Sequence, residues 1–212
     1  MHKTKLVIFD LDGTLIDSSK IISESYKETL AQIGISTEIQ EFNQFIGRNL
    51  FSVFRNDFNL ELAEALRATS IHRTISHCKT IRLKDMSSIL YPGVEYTVSK
   101  LRDSGIECGI ATLKNEDVAK YIISRCGLLD LFSAGILGMS PEEQDCKSNM
   151  IDSMLRETNT ERKSCIMVGD HSSDAYAAIK SGVRFLPVSY GYGLRNTDCF
   201  KMSSIKELLT FV

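Results

Sequence analysis

Two carboxylates stand two residues apart in the DxDGT segment that begins at Asp10, directly after the apolar run 6–9. Because side chains at alternate positions of a strand end project to the same side, Asp10 and Asp12 would place two negative charges at one site. Their burial is unfavourable unless a cation neutralises the pair or one carboxyl group holds a proton, and both arrangements serve catalysis. A solvated turn or a helix cap is the alternative interpretation, and this segment alone does not decide between them.

Polar residues follow two further apolar runs of the sequence. The Thr112 hydroxyl could hydrogen-bond a phosphate oxygen, although a threonine at a strand end is often only a cap. Asp170 ends another apolar run, and Asp174 follows it in the same GDxxxD segment. If these two residues flank the start of a helix, Asp170 can face the Asp10 pair while Asp174 supports it from the first helical turn.

Lys147 lies between Thr112 and the GDxxxD segment in the sequence, and it is a candidate counter-charge for phosphate. A solvated surface lysine is the default interpretation of any single lysine. The position weakens that default, because a cation in the first turn of a helix opposes the helix dipole unless another group recruits it.

The elements that must position these residues are visible in the pattern of apolar runs. Short runs separated by helical patterns are typical of strands buried in a parallel sheet. One helical pattern follows Pro92 and stops at Gly105, and another stops at Gly182. This alternation predicts an α/β fold with a doubly wound, Rossmann-like parallel sheet. The predicted strands lie at 6–9, 110–111, 136–137, 165–168 and 185–188.

Residues 18–88 interrupt the alternation, since they contain no proline, two glycines and mostly helical periodicity. We predict an inserted α-helical domain, residues 15–88, that leaves the sheet after the first strand and returns to it. Residues 1–14 and 89–212 would then form the core domain. An insertion at this point lies at the sheet edge where open α/β sheets bind ligands.

Composition restricts the class of protein. The 212 residues are 43% hydrophobic and 25% charged, which is typical of a globular chain. A net charge of -2 and a pI near 6.1 provide no basic surplus that would attract nucleic acid or anionic lipid. No apolar run approaches the roughly 20 residues needed to cross a bilayer. Neither nucleic acid nor a membrane is therefore expected as a partner.

The six cysteines contain no CxxC pair, so neither a zinc ribbon nor a dithiol redox motif is available. Most are expected to be small core residues. Because no hydrophobic signal precedes the first strand, a reducing cytoplasm is the expected location.

In their order along the chain, these residues resemble the motifs of the haloacid dehalogenase superfamily. Those motifs are DxDGT, a strand-terminal Thr or Ser, a Lys, and GDxxxD. Here they correspond to Asp10 to Thr14, Thr112, Lys147, and Gly169 to Asp174. The resemblance spans essentially the whole chain and is greatest to phosphoglycolate phosphatase-like members, whose α-helical cap the insertion resembles. It also favours Lys147 over Lys114 as the motif lysine.

The resemblance implies a Mg²⁺-dependent phosphatase that acts on a small phosphorylated metabolite, such as a phosphoglycolate-like molecule or a sugar phosphate. Asp10 would attack phosphorus and form an aspartyl phosphate, while Asp12 would act as general acid and base. Thr112 and Lys147 would stabilise the charge on the transferring phosphoryl group. The implied metal ligands are Asp10, Asp12 through its backbone carbonyl, and Asp170, with Asp174 in support.

Arg48 lies in a glycine-containing break of the helical pattern, with no obvious carboxylate partner nearby in the sequence. It is either a solvated loop residue or, as in related family members, a cap residue that approaches the anionic substrate. These two interpretations are equally supported.

The residues beside the motifs are expected to perform no chemistry. Leu113 and Ser148 stand where this branch often has a small polar residue and a proline. His171 is interpreted as a surface or supporting histidine, and Ser172 and Ser173 as helix caps.

Three alternatives to a phosphatase stay open at this point. The departures beside the motifs would suit a catalytically impaired binding module, and a phosphomutase of the same superfamily would also retain Asp12. A signalling receiver domain shares a phosphorylatable Asp, a Thr and a Lys, but it places its acceptor after a later strand and has no helical insertion. The motifs specify neither the substrate nor the oligomeric state.

Overall fold

The computed structural model describes residues 3–39, 42–139, 146–194 and 197–212. The chain divides into two compact units. One, the core unit, comprises Met1–Asp17 and Met86–Val212, and the other, the helical unit, comprises Ser18–Asp85. The domain limits proposed from the sequence, 1–14 with 89–212 and 15–88, lie close to these bounds.

A five-stranded parallel sheet forms the centre of the core unit. Its strands are β1 Leu6–Phe9, β2 Glu107–Asn115, β3 Ile136–Met139, β4 Cys165–Gly169 and β5 Arg184–Pro187. They are arranged in the order β3-β2-β1-β4-β5, which confirms the doubly wound α/β class. Because β1 is central and pairs with β2 and β4, the carboxyl ends of these three strands meet at one edge.

Strand β2 differs from the prediction, since it does not end at Thr112 but continues to Asn115. The register against β3 shifts between Ala111 and Asn115, which marks a β-bulge or another irregularity of the pairing. The residues after Thr112 are only partly buried. The apolar pattern therefore stops although the strand continues. Strand β5 begins and ends one residue earlier than predicted.

Helices cover both faces of the sheet. In chain order, the helices of the helical unit are α1 Ser19–Gln32, α2 Leu50–Ser52 and α3 Leu62–Ile81, and those of the core unit are α4 Val94–Asp103, α5 Glu116–Arg125, α6 Lys147–Glu157 and α7 Ser172–Lys180. On one face, α6 and α7 share a buried cluster with Leu6, Ile8 and Met167. Phe9 alternates to the opposite face, where its ring contacts Phe132 edge-on at 6.4 Å. No helix within the described ranges is long and apolar enough to cross a bilayer.

The helical unit is held together by an aromatic cluster between α1 and the segments that follow it. The Tyr26 ring stacks on Phe42 with 5.3 Å between centroids, and it packs at 4.4 Å from the ring of His72. Further rings complete the cluster: Phe45, Phe54 and Phe58. At the unit's surface, Lys79 on α3 bridges two glutamates of α1. The helical character predicted for this insertion is thus confirmed.

The cysteines are all free thiols. Cys108 and Cys165 are buried in strands, and burial raises the pKa of each to about 12. The other four are exposed or only partly buried. The expectation that most of the cysteines belong to the core is therefore wrong.

Candidate active site

Candidate residues from three strands converge at the carboxyl edge of the sheet. Asp10 follows β1 and continues its pairing with β4, because its amide donates to the Val168 carbonyl at 2.9 Å. Gly13 then turns the chain with φ +87°. A Cβ atom at Gly13 would lie 2.5 Å from Asp170 Oδ2, so only glycine lets the DxDGT loop pass this close to the carboxylate after β4.

Lys147, the first residue of α6, bridges two of the acids. Its ammonium group lies 2.6 Å from Asp10 Oδ1 and 2.5 Å from Asp174 Oδ1, and its side chain is only 3% exposed. Burial alone would lower the pKa of Lys147, but the carboxylates of Asp10 and Asp174 outweigh that effect and raise it. A permanent cation in the first helical turn is thus recruited by two buried carboxylates, as its position in the sequence suggested.

Asp10, Asp170 and Asp174 form a buried acidic cluster whose nearest carboxylate oxygens lie within 4.8 Å of one another. Burial raises the pKa of Asp10 well above its usual value, and the charges of Asp174 and Asp170 add to this effect while Lys147 opposes it. Burial also raises the pKa of Asp170, to about 6. The single positive charge of Lys147 therefore does not fully offset the cost of burying three carboxylates at one site.

Two oxygens of this cluster have no hydrogen-bond partner among the described residues. They are Asp10 Oδ2 and Asp170 Oδ1, and both are buried. The oxygens of Asp174 are both engaged, one by Lys147 and the other by the His171 amide. Buried carboxylate oxygens without donors, in a set of candidate ligands that are all carboxylates, have the chemistry of a site for a hard divalent cation.

Asp12 pairs with a different lysine from the one that holds Asp10. Its Oδ2 lies 3.1 Å from Lys114 Nζ, with both side chains nearly buried, and its Oδ1 has no partner in the described part of the chain. The Asp12 side chain lies outside the group of three clustered acids. Lys114, the rival of Lys147 in the sequence, is therefore also a site residue, but it contacts the other carboxylate.

Thr112 is buried at the same edge, within β2. Its hydroxyl oxygen accepts a hydrogen bond from the Lys114 amide at 3.2 Å. Since this contact uses a lone pair, the hydroxyl hydrogen is left to donate to an anion.

Residues after β5 also contribute to the site, and sequence reasoning missed them. Asp170 Oδ2 accepts hydrogen bonds from the amides of Tyr192, at 2.5 Å, and Gly193, at 3.3 Å. We refer to residues 190–193 as the tyrosine loop. The available signal was the alternation of Tyr and Gly directly after the last strand, since glycine often marks a close approach of the backbone.

The start of α7 corrects the prediction that Ser172 and Ser173 cap the helix. The N-cap residue is His171, whose Nδ1 accepts from the Ser173 amide at 3.1 Å. The Asp174 side chain accepts in return from the His171 amide, which completes a capping box. A histidine replaces the usual small polar cap because its ring nitrogen supplies the same acceptor.

Arg48 in the helical unit is not unpaired, so the expectation that it lacks a local carboxylate is wrong. It donates to both oxygens of Asp57, at 3.0 Å and 2.7 Å. Its guanidinium also lies 5.6 Å from the centroid of the Phe45 ring. The partner was missed because the turn Val53–Asp57 brings together two residues that are nine positions apart.

The sequence model of the haloacid dehalogenase-like hydrolase family matches residues 7–188. The chain is 25% identical to a phosphoglycolate phosphatase from Aquifex aeolicus, over 97% of this chain and 95% of that one. It is 29% identical to a predicted phosphatase from Clostridium acetobutylicum of known structure, with a TM-score of 0.86 over 99% of this chain and 98% of that one. The structure of Mycobacterium tuberculosis Protein Tyrosine Kinase A (PtkA) is 25% identical, with a TM-score of 0.80, and the match covers 100% of this chain and 99% of that one.

Proposed function

Because the chain belongs to the haloacid dehalogenase-like hydrolase family and is a phosphatase, we propose that it hydrolyses a small phosphorylated metabolite with Mg²⁺. The reaction would pass through an aspartyl phosphate on Asp10. The observation that carries this proposal is how the two carboxylate oxygens of Asp10 are surrounded. Lys147 holds one of its carboxylate oxygens, and the other is buried with no donor among the described residues.

In the first step, an Asp10 carboxylate oxygen attacks phosphorus and the bond to the leaving oxygen breaks. Asp12 donates the proton that the leaving oxygen requires. The Thr112 hydroxyl donates to an equatorial phosphoryl oxygen, and the ammonium group of Lys147 balances the negative charge around Asp10. The product is an acyl phosphate on Asp10 and a neutral alcohol.

In the second step, water attacks phosphorus of the aspartyl phosphate. Asp12, now deprotonated, accepts a proton from this water. The acyl phosphate bond breaks, inorganic phosphate leaves, and the Asp10 carboxylate is regenerated. Lys114 supports this role of Asp12, because an ammonium group at 3.1 Å holds the carboxylate in place between the two proton transfers.

The residues fit a magnesium ion, on the evidence of the two buried carboxylate oxygens that lack donors. Asp10, Asp170 and the Asp12 backbone carbonyl would hold the ion, while Asp174 would orient Lys147. Once bound, Mg²⁺ supplies positive charge that shields Asp10 from the anionic substrate and stabilises the developing phosphoryl charge.

Phosphate release from a panel of phosphoglycolate, sugar phosphates and an aryl phosphate tests this function. We expect release with at least one of these, complete loss of release in excess chelator, and recovery on adding Mg²⁺. Full activity in excess chelator would exclude the metal. Conversion of a sugar phosphate into its positional isomer, with no phosphate released, would instead indicate a mutase.

We also propose that Arg48 of the helical unit contacts the anionic substrate. Its ion pair with Asp57 is only partly buried, with the side chains 35% and 28% exposed. The pair is therefore a weak one, in which a substrate anion can replace Asp57.

We also propose a cytoplasmic location, as expected from the sequence, since small phosphorylated metabolites are abundant there.

Arg48→Ala is therefore expected to lower kcat/KM for the best metabolite substrate by about 10- to 100-fold, equivalent to about 1.5–3 kcal/mol. The effect on a small aryl phosphate should be much smaller. Asp57→Ala is the matched control, because it removes the same ion pair but leaves the arginine. If steady-state kinetics showed an equal fall in kcat/KM for both variants, Arg48 would act only through the ion pair.

A further inference from the structure

The tyrosine loop holds one oxygen of Asp170 and leaves the other without a donor. Asp170 Oδ2 accepts from the Tyr192 and Gly193 amides, whereas Oδ1 is buried with no partner in the described ranges. The loop therefore fixes the rotation of the Asp170 carboxylate about the Cβ–Cγ bond. It determines which oxygen is available as a ligand.

The approach of the loop to Asp170 is close enough to require glycine. A Cβ atom at Gly191 would lie 2.2 Å from the Asp170 Cβ, and one at Gly193 would lie 2.2 Å from the His171 ring. Since a Cβ at such a distance forces a shift of one partner, the backbone here is in direct contact with the residues after β4.

The side chains of the same loop bind the segment that follows the DxDGT motif. The Tyr192 hydroxyl donates to Asp17 Oδ1 at 2.7 Å, and the Tyr190 hydroxyl donates to the Thr14 carbonyl at 2.9 Å. Asp17 is the last residue of the core unit before the helical unit begins at Ser18. The loop thus joins a candidate metal ligand to the segment that leads out of the core unit.

That segment is itself paired with the returning chain. The Asp17 amide donates to the Ile89 carbonyl at 2.7 Å, and the Tyr91 amide donates to the Leu15 carbonyl at 3.0 Å. The Tyr91 and Tyr190 rings pack with 4.6 Å between centroids. The Tyr192 hydroxyl is therefore anchored to a supported pair of segments rather than to a free loop.

We propose that Tyr192 is a positioning residue for the metal ligand Asp170. Its amide fixes Asp170 Oδ2, its hydroxyl ties that amide to Asp17, and Asp170 Oδ1 is thereby presented to the cation. This inference rests on the Mg²⁺ site of the proposed function. Residues that orient metal ligands typically change metal affinity by about 10- to 100-fold when they are replaced.

Calorimetric titration of Mg²⁺ into the substrate-free protein tests the proposal. Tyr192→Phe removes only the hydroxyl and should raise the Kd for Mg²⁺ by about 10-fold, with a smaller Mg²⁺-dependent rise in Tm. Asp17→Ala should have the same effect. Asp17→Asn keeps an oxygen acceptor for the hydroxyl and should bind Mg²⁺ like the wild type. The double variant Tyr192→Phe with Asp17→Ala should be no weaker than either single one.

Tyr96→Phe is the control, since Tyr96 is exposed on α4 and should leave the Kd unchanged. If Tyr192→Phe did not fold, Asp17→Ala and Asp17→Asn would decide the question alone. A lower Tm without a change in Kd would overturn the role of Tyr192, because a purely structural contact affects stability only. A wild-type protein that bound no Mg²⁺ would overturn both the proposed metal site and the inference built on it.

Discussion

Replacement of Asp10 by Asn is expected to lower kcat by at least about 10⁴-fold while the fold is retained. The amide has nearly the shape of the carboxylate but lacks the charged oxygen that attacks phosphorus. Lys147 would still be paired in this variant, because Asp174 lies 2.5 Å from its ammonium group. The loss of activity should therefore not follow from unfolding, and steady-state kinetics beside thermal denaturation would measure the two effects separately.

Asp117→Asn is a suitable control for this substitution. Asp117 is an exposed acid near the start of α5, so its replacement by Asn should leave both kcat and Tm unchanged. A folded Asp10→Asn protein that kept more than a small fraction of wild-type kcat would rule out Asp10 as the nucleophile.

The second large effect is expected for Asp12→Asn, with a fall in kcat of about 10²- to 10⁴-fold. An aryl phosphate with a good leaving group needs little help from a general acid, so the aspartyl phosphate should still form. Its hydrolysis should be slow, because no carboxylate accepts the proton of the attacking water. Rapid mixing should then show a burst of aryl alcohol equal to the enzyme concentration, followed by slow turnover.

A metabolite with a poor leaving group provides the comparison within this experiment. Its turnover by Asp12→Asn should show no burst, since both steps now need the missing carboxylate. Normal steady-state rates with either class of substrate would remove Asp12 from the acid and base role.

The sheet and the main acidic residues could be predicted because their signals are local. The run Leu6–Phe9 is apolar at every position since β1 is buried on both faces, and the DxDGT segment follows it directly. The order of the motifs then indicated that Asp10, Lys147 and Asp170 belong to one edge. Side-chain chemistry and the order of the motifs along the chain were enough for this prediction, without detailed geometry.

Contacts between distant segments could not be predicted in the same way. Lys114 pairs with Asp12, whereas Lys147 pairs with Asp10 and Asp174, and the position of Lys114 lies in the part of β2 that continues past Thr112. The bond from Tyr192 to Asp17 joins residues 175 positions apart. Neither contact has a local sequence pattern, because each is produced by the packing of the whole core unit.

The predictions for the cap of α7 and for the partner of Arg48 were wrong for a different reason. Serine and threonine are the common caps, so the general preference favoured Ser172 and Ser173 over His171. For Arg48, the helical periodicity did not reveal the π-helical turn that carries Asp57 back to it. In both cases the sequence preference was reasonable, but tertiary geometry selected another partner.

Formation of an aspartyl phosphate on Asp10 can be tested by trapping this intermediate. Asp12→Asn protein would be mixed with an aryl phosphate and Mg²⁺, quenched in acid, digested and mapped by tandem mass spectrometry. We expect one phosphorylated peptide with the phosphoryl group on Asp10, and no such peptide when Asp10 is also replaced by Asn. A phosphoryl group on another residue, or normal turnover with no phosphorylated peptide, would contradict this expectation.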